Sequence, residues 1–482
     1  MAMRILHVVH SFPPQGVGGT EHYVQHLASA QLAAGHEVGV LYPLLLPGGS
    51  RSRLIEDRYP LGPNAGLRLF KITNPNRDTL YWTAFNAEAE RAALDAVKRF
   101  APDVLHIHHL YWLSCRIPRA VKREHPGCRI VMTLHDYWYA CYKGTLRRPW
   151  GELCSGPDRL KCMGCIEQRG LLAAGFRSLA AMGPVLWPFK RISALKAAET
   201  LERIPGESGL RLQTANAWFF LHREEEMRAM LREADVLLAP SRWLQEFYGK
   251  WLLRMDIRHV PHGIHAVSRT GSHEGMRFCY IGQFAPHKGA DHMLRAFRLA
   301  ALQRMAKGEA VPELRLYGPA PNPTYMRQLH ALAAERDPLL IDKISFEGRF
   351  EARELSRVLS DIDVLVVPSR WPENAPLAVL EALSVGLPVI APRLGGLPEL
   401  LDPDGAAPSS GLSRVPGGWL YGQRDTLPED SELAEALLTS GHPATSSVEV
   451  PDMEKHAALV ERVYRTALRE RRGKKDANEA VS

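Results

Sequence analysis

The chain has 482 residues, 45% hydrophobic and 23% charged, a globular composition that excludes wholesale disorder, collagen-like repetition and a polytopic membrane protein and predicts two or three domains. Its net charge is +7, but five basic residues and one acid fall within Arg469 to Lys475, so the body is nearly balanced. No basic stripe with interleaved aromatics occurs, and no nucleic-acid partner is expected.

In chain order, Arg4 to Val9 is a short β-branched run that stops at Ser11-Phe12-Pro13-Pro14 and is followed by the glycine loop Gly16-Val17-Gly18-Gly19. The opening apolar residues are too few for a signal-peptide core, and no run reaches the eighteen apolar residues of a spanning helix, which predicts a cytoplasmic protein. Thr20 is the expected cap of a helix in which Val24, Leu27, Ala28 and Leu32 recur at helical spacing until Gly35. The apolar run Val38 to Tyr42 comes next, and strand, loop, helix, strand opens a parallel α/β sheet. A helix around Phe85 to Phe100 and strands at Val104 to Ile107, Ile130 to Leu134 and Val236 to Ala239 complete a first domain, 1–267, interrupted by an insertion at about 141–231.

Ser268 to Gly275 lacks any periodic pattern and reads as a linker. A second strand-and-helix series follows over 276–452, with strands at Phe278 to Ile281, Leu314 to Tyr317, Ile344 to Glu347, Val364 to Val367 and Val389 to Ala391. An apolar stripe of Ala457, Val460, Val463, Tyr464, Ala467 and Leu468 marks a last helix, 453–468, before a charged tail, 469–482, expected to be disordered.

The chemistry concentrates in the second domain. Trp371-Pro372-Glu373-Asn374-Ala375-Pro376-Leu377 follows a strand and leads into the helix Ala378 to Ser384, with seven residues between Glu373 and Glu381. N–H groups at such a helix start form an anion site, and a carboxylate such as Glu381 can accept hydrogen bonds from two neighbouring hydroxyls, as on a ribose. An ordinary helix with one N-terminal and one surface acid is the other reading of the same residues. In the first domain Gly18 and Gly19 would let the backbone approach a phosphate, or simply make a turn. His106, His108 and His109 alternate along a strand, so His109 faces away from the other two and a metal site there is not expected.

The order of motifs resembles that of retaining glycosyltransferases of family 4, also called group 1. It runs Ile281-Gly282-Gln283-Phe284-Ala285-Pro286-His287-Lys288-Gly289, Phe346-Glu347-Gly348, Pro368-Ser369, Glu373 to Glu381 and Gly395-Gly396-Leu397-Pro398-Glu399. In the first half Pro13-Pro14, Gly18-Gly19 with Glu21, Gly35-His36-Glu37-Val38, Pro102-Asp103 and Thr133-Leu134-His135-Asp136 agree. The resemblance implies a GT-B fold of two Rossmann-like domains facing across a cleft, with the last helix crossing back to the first domain.

It also implies a metal-independent transfer from a nucleoside-diphosphate sugar to a hydroxyl acceptor, a glycan or lipid-linked glycan, in surface polysaccharide or glycolipid synthesis. Glu381 takes the ribose role, Glu373 contacts the donor sugar and Lys288 neutralises the diphosphate. Gly18, Gly19, Gly282, Gln283, Asn374, Ala375, Pro376 and Leu377 complete the donor-side set. Glu21, His135 and Asp136 lie on the acceptor side, His135 close to the transferred sugar. Many members carry arginine where this chain has Gln283, a neutral amide that adds no charge. Arg349 or Arg370 could then assist Lys288. A nucleotide-sugar epimerase, a phosphorolytic enzyme and a silent binding protein on the same scaffold are the alternatives.

Cys141, Cys154, Cys162 and Cys165 cluster in the insertion, and only the last pair has familiar ligand spacing. They suit a structural zinc, or else plain thiols or a redox pair. The segment Gly170 to Leu201 mixes Leu, Phe and Trp with Arg and Lys, which fits either a peripheral membrane contact or a helical cover over the cleft.

Overall fold

The computed structural model describes residues 2–16, 18–46, 52–59, 66–75, 84–148, 151–158, 161, 162, 165, 222–253, 255–270, 274–334, 340, 342–440 and 445–479. Gly170 to Leu201, with its two readings as membrane contact or cover, lies outside the described residues, as does most of the insertion.

Two sheets carry the molecule. The first orders eight strands as β3-β4-β2-β1-β5-β6-β7-β8: β1 (Arg4–Val8), β2 (Glu37–Leu46), β3 (Leu54–Arg58), β4 (Arg68–Pro75), β5 (Val104–Ile107), β6 (Arg129–Thr133), β7 (Val236–Ala239) and β8 (Ile257–His259). The second orders seven as β11-β10-β9-β12-β13-β15-β14: β9 (Arg277–Ile281), β10 (Glu313–Tyr317), β11 (Ile344–Gly348), β12 (Val364–Val366), β13 (Val389–Pro392), β14 (Ser413–Val415) and β15 (Gly418–Tyr421). All pairings are parallel except β3 with β4 and β14 with β15. The central strands are buried along their length, which is why they read as continuous apolar runs. Parallel sheets of this kind place ligands at the carboxyl ends of their strands. The segments that follow β1, β5 and β6 therefore face those that follow β9, β12 and β13. This two-domain arrangement is the GT-B architecture.

Several elements differ in detail from expectation. The first helix, Gly19–Ala33, has Gly18 at its cap position with no side-chain hydrogen bond from the cap, so Thr20 lies inside the helix, and the Glu21 carboxylate accepts from the N–H groups of Glu21 and Gly18 at the helix start. The helix Ala87–Phe100, by contrast, has Asn86 accepting from the N–H groups of Glu88 and Ala89 at 3.1 and 3.0 Å. The described linker residues are tied to the second domain: the Arg269 guanidinium donates to the Ile362 carbonyl at 2.8 Å and the Thr270 N–H to Ser360 Oγ at 2.9 Å.

The final helix, Met453–Glu479, runs on through the charged segment instead of ending at Leu468. Its stripe of Met453, Ala457, Val460, Val463, Tyr464 and Ala467 belongs to the core of the first domain. Tyr23 donates its hydroxyl to His456 Nε2 at 2.8 Å across 433 positions, so the chain finishes on the domain in which it began.

Candidate active site

The loop after β12 is folded around one carboxylate. Glu373 is only 4% exposed, and three donors converge on its Oε1: Lys288 Nζ at 2.8 Å, Trp371 Nε1 at 2.7 Å and Ser369 Oγ at 2.5 Å. Among the described residues no hydrogen bond goes to Oε2. Burial alone would raise this carboxyl, but the Lys288 charge and the three hydrogen bonds outweigh it and hold the group below its ordinary value.

Lys288 ends the short turn Pro286–Lys288 after β9, and its ammonium stands 5.0 Å from the centre of the Trp371 ring. The two loops can meet because of a glycine. Gly289 has φ of 75°, and a Cβ there would sit 1.9 Å from the Pro368 carbonyl. Gly395 does the same service on the other side, where a Cβ would lie 2.2 Å from the Glu373 carbonyl. The glycines of the two motifs are thus close-approach positions.

Glu381 lies in the helix Leu377–Ser384, whose start no side chain caps. Its carboxylate has no hydrogen bond or ion pair among the described residues. Desolvation by the surrounding protein pushes it up to about 7. Its side chain is only half-buried, and a desolvated acid without a partner costs stability in the free protein.

The facing wall comes from the first domain. A cavity of about 760 Å³ is lined by His10, His109 and Asp136 on one side and by Gln283, His287 and Trp371 on the other. His109 Nε2 is 3.4 Å from the Asp136 carboxylate, and His10 Nε2 is 3.4 Å from Glu21. Burial would raise Asp136, but His109 brings it below its ordinary value. Burial holds His10 down at about 3. Gly19 has open space where a Cβ would project, leaving its backbone approachable.

Of the expected site residues, Gln283 and Asp136 line this cavity, whereas Glu373, Lys288, Glu381, Gly18, Gly19, Glu21 and His135 are not part of its lining. Asn374 is buried and bridges the domains, accepting from Ser241 Oγ at 2.5 Å and donating to the His135 carbonyl at 3.0 Å. Glu399 makes a second bridge, its two oxygens accepting the N–H groups of Arg242 and Trp243 at 2.8 and 3.0 Å. It thereby caps the helix Arg242–Leu252 of the other domain. The His135 ring turns inward onto His108. Gly282 supports the loop through its N–H, which donates to the Tyr317 carbonyl at 3.0 Å. Ala375, Pro376 and Leu377 are half-buried and carry the backbone into the helix start.

Arg349 is exposed, whereas the Arg370 guanidinium donates to the Pro428 carbonyl at 3.0 Å. One base escaped the sequence reading: Arg147, whose guanidinium crosses from the first domain to the Pro286 carbonyl at 2.7 Å. Burial first, and the nearby Arg370 second, lower its pKa. Its only sequence signal is the basic run Arg147-Arg148 beside the cysteines.

Those four cysteines are free and half-buried. Burial raises the Cys162 thiol, and the thiols of Cys141, Cys154 and Cys165 add to the effect. No three of their sulfurs lie within 4.8 Å of one another. Among the described residues the one group at that spacing is His7, His106 and His108.

Comparison with known proteins agrees with this geometry. Residues 17–157 match the model of Glycosyltransferase Family 4 and residues 275–438 that of Glycosyl transferases group 1. The putative colanic acid biosynthesis glycosyltransferase WcaL of Salmonella typhimurium is 28% identical over 230 residues, 44% of this chain and 50% of that protein. The chain thus spans half the length of that relative. Glycogen synthase of Mycobacterium tuberculosis is 22% identical over 82% of this chain and 80% of its own. Among solved structures, sucrose-phosphate synthase of Thermosynechococcus elongatus superposes with a TM-score of 0.58 at 18% identity, covering 99% of both chains. HepE of Anabaena, solved with UDP and glucose, gives 0.54 at 14% identity over 96% of this chain and 99% of its own. At those identities the superpositions speak for the fold alone.

Proposed function

We propose, for a chain that belongs through both of its halves to the group 1 and family 4 glycosyltransferases, that it transfers a hexose with retention from a nucleoside-diphosphate sugar to a hydroxyl of a glycan or lipid-linked glycan. The observation that carries this reading is Glu373, with Oε1 saturated by three donors and Oε2 left for a ligand. A carboxylate fixed this firmly orients sugar hydroxyls; its charge is already neutralised by Lys288, so it is a poor nucleophile. Departure of the diphosphate is assisted by Lys288 and the uncapped start of the helix Leu377–Ser384, and the leaving oxygen takes the acceptor proton on the same face. Arg147 and Arg370 supply the charge that Gln283 lacks. WcaL, named for colanic acid synthesis, favours a surface polysaccharide as the product.

Incubation with UDP-, GDP- and ADP-hexoses separates the readings. Transfer, or slow hydrolysis, with the anomeric configuration kept in the product is expected. An isomerised nucleotide-sugar would indicate an epimerase, and binding without turnover a silent module.

Nucleotide affinity should depend on pH through Glu381. The free carboxyl titrates at about 7, and ribose hydroxyls donate to its ionised form, so binding must release a proton below that pH. Affinity therefore rises about tenfold from about pH 6 to a plateau above about pH 8. Glu381→Gln should remove the rise and lower the plateau by about tenfold or more. Calorimetry with the bare nucleoside diphosphate checks this, and identical slopes in the two proteins would take Glu381 out of the site.

Cys141, Cys154, Cys162 and Cys165 fit a structural zinc, the chemistry of four thiolates. In this structure the sulfurs stand too far apart to share one ion, so binding requires the four side chains to turn toward one point; bound metal would then brace the hairpin bridged at Arg147 and Leu153, from which Arg147 reaches the second domain. About one zinc per chain is expected by elemental analysis. None in protein purified without chelator would leave plain thiols.

A further inference from the structure

Behind His135 runs a continuous chain of buried side chains that the proposed chemistry does not use. His135 Nε2 lies 3.1 Å from His108 Nδ1, His108 Nε2 lies 2.9 Å from His7 Nδ1, and His7 Nε2 lies 2.7 Å from Gln31 Oε1. The amide nitrogen of Gln31 donates to Tyr464 OH at 3.3 Å. Tyr464 OH lies 2.6 Å from His106 Nδ1, and His106 Nε2 lies 2.7 Å from Thr133 Oγ1. Every ring nitrogen of His7, His106 and His108 is thereby engaged, which gives this trio a role other than holding a metal.

Neutral imidazole has one N–H and one lone pair, so a row of neutral rings has a polarity set at its end. Desolvation keeps the rings neutral: it lowers His7 to about 4 and His135 to about 3, and carries His106 and His108 well below their ordinary value. Gln31 is the end that decides. Its oxygen accepts from His7 Nε2–H, which leaves His7 Nδ1 as the acceptor for His108 Nε2–H. His108 Nδ1 must then accept from His135 Nε2–H. The other branch follows from the same amide orientation: Gln31 donates to Tyr464, Tyr464 to His106 Nδ1, and His106 Nε2–H to Thr133.

His135 Nδ1 has no hydrogen-bond partner among the described residues and is not sealed from solvent. The residue follows β6 at its carboxyl end, its carbonyl is held by Asn374 of the other domain, and its neighbour Asp136 lines the cavity. We propose that Gln31 is a positioning residue which, through His7 and His108, fixes His135 as the Nε2–H tautomer and so presents a lone pair on Nδ1 to the substrate. An acceptor at that point takes a hydrogen bond from a hydroxyl of the sugar. The sugar contact rests on the transferase reading, whereas the tautomer does not.

Nitrogen-15 NMR of histidine-labelled full-length protein tests the tautomer with no substrate present, His135 being assigned with His135→Phe. The expected pattern is a protonated Nε2 and a bare Nδ1 on His135 at neutral pH. A protonated Nδ1, or an even mixture, in the unmodified protein overturns the proposal whatever the enzyme transfers. In Gln31→Leu both tautomers should appear, with a several-fold loss of affinity for the nucleotide-sugar and none for the bare nucleoside diphosphate. Loss for both ligands alike, in a folded variant, would make Gln31 merely structural. A pure Nε2–H signal with no turnover of any sugar nucleotide would refute the transferase reading.

Discussion

Glu373→Gln is expected to lower kcat about 100-fold while leaving nucleotide affinity unchanged or slightly raised. The amide can keep an oxygen toward Lys288, Ser369 and Trp371, so the loop retains its shape. What changes is the second atom, an NH₂ that cannot accept from a sugar hydroxyl, and the charge. Loss of a charge-assisted hydrogen bond that strengthens toward the transition state is worth about 2 to 3 kcal/mol, and each 1.36 kcal/mol is about tenfold in rate. Lys288, relieved of its partner, attracts the diphosphate more strongly in the ground state, which separates the effects on binding and turnover. Steady-state kinetics with calorimetry for the nucleotide would show it. A variant with full kcat would remove Glu373 from the reaction.

How much of this could be read beforehand depends on where each partner sits. Val236–Ala239 and Val104–Ile107 were legible to the residue because both faces of those strands are covered. The hairpin of β3 and β4 was not. Its residues pair across the edge through Arg68 with Glu56 and Lys71 with Asp57, both at 2.7 Å, so its strands carry charges where apolar residues would mark them. Ser369 and Trp371 stand four and two positions before Glu373, within reach of a local reading. Lys288 is 85 positions away, and only the resemblance linked the two.

The histidine chain lay further out of sight. His7, His106 and His135 belong to three strand ends that become neighbours through the order β1-β5-β6, and no spacing along the chain encodes that order. The same strand alternation that set His109 apart from His106 and His108 did hold, since His109 faces Asp136 and the cavity.

Lys288→Met should cost more than any other single change, because the lysine has two duties that can be separated. Turnover should fall about 1000-fold, as the departing diphosphate loses its nearest charge. Stability should fall as well, by about 3 kcal/mol, since a buried carboxylate is left without its cation. The pH dependence identifies the cause. In the unmodified protein the Glu373 carboxyl is held below its ordinary value, so its contribution to stability is present at neutral pH and lost as pH falls. Without Lys288, burial dominates and raises the carboxyl above its unfolded value. The folded variant then binds the extra proton, and its stability declines as pH climbs from about 5 to about 8. Adding Glu373→Gln removes the stranded charge. The double variant should regain most of the lost melting temperature and its flat pH profile while remaining inactive. Thermal melts across that pH range decide the matter: a double variant as unstable as Lys288→Met would mean that the lysine braces the loop by packing on Trp371, not by pairing with Glu373.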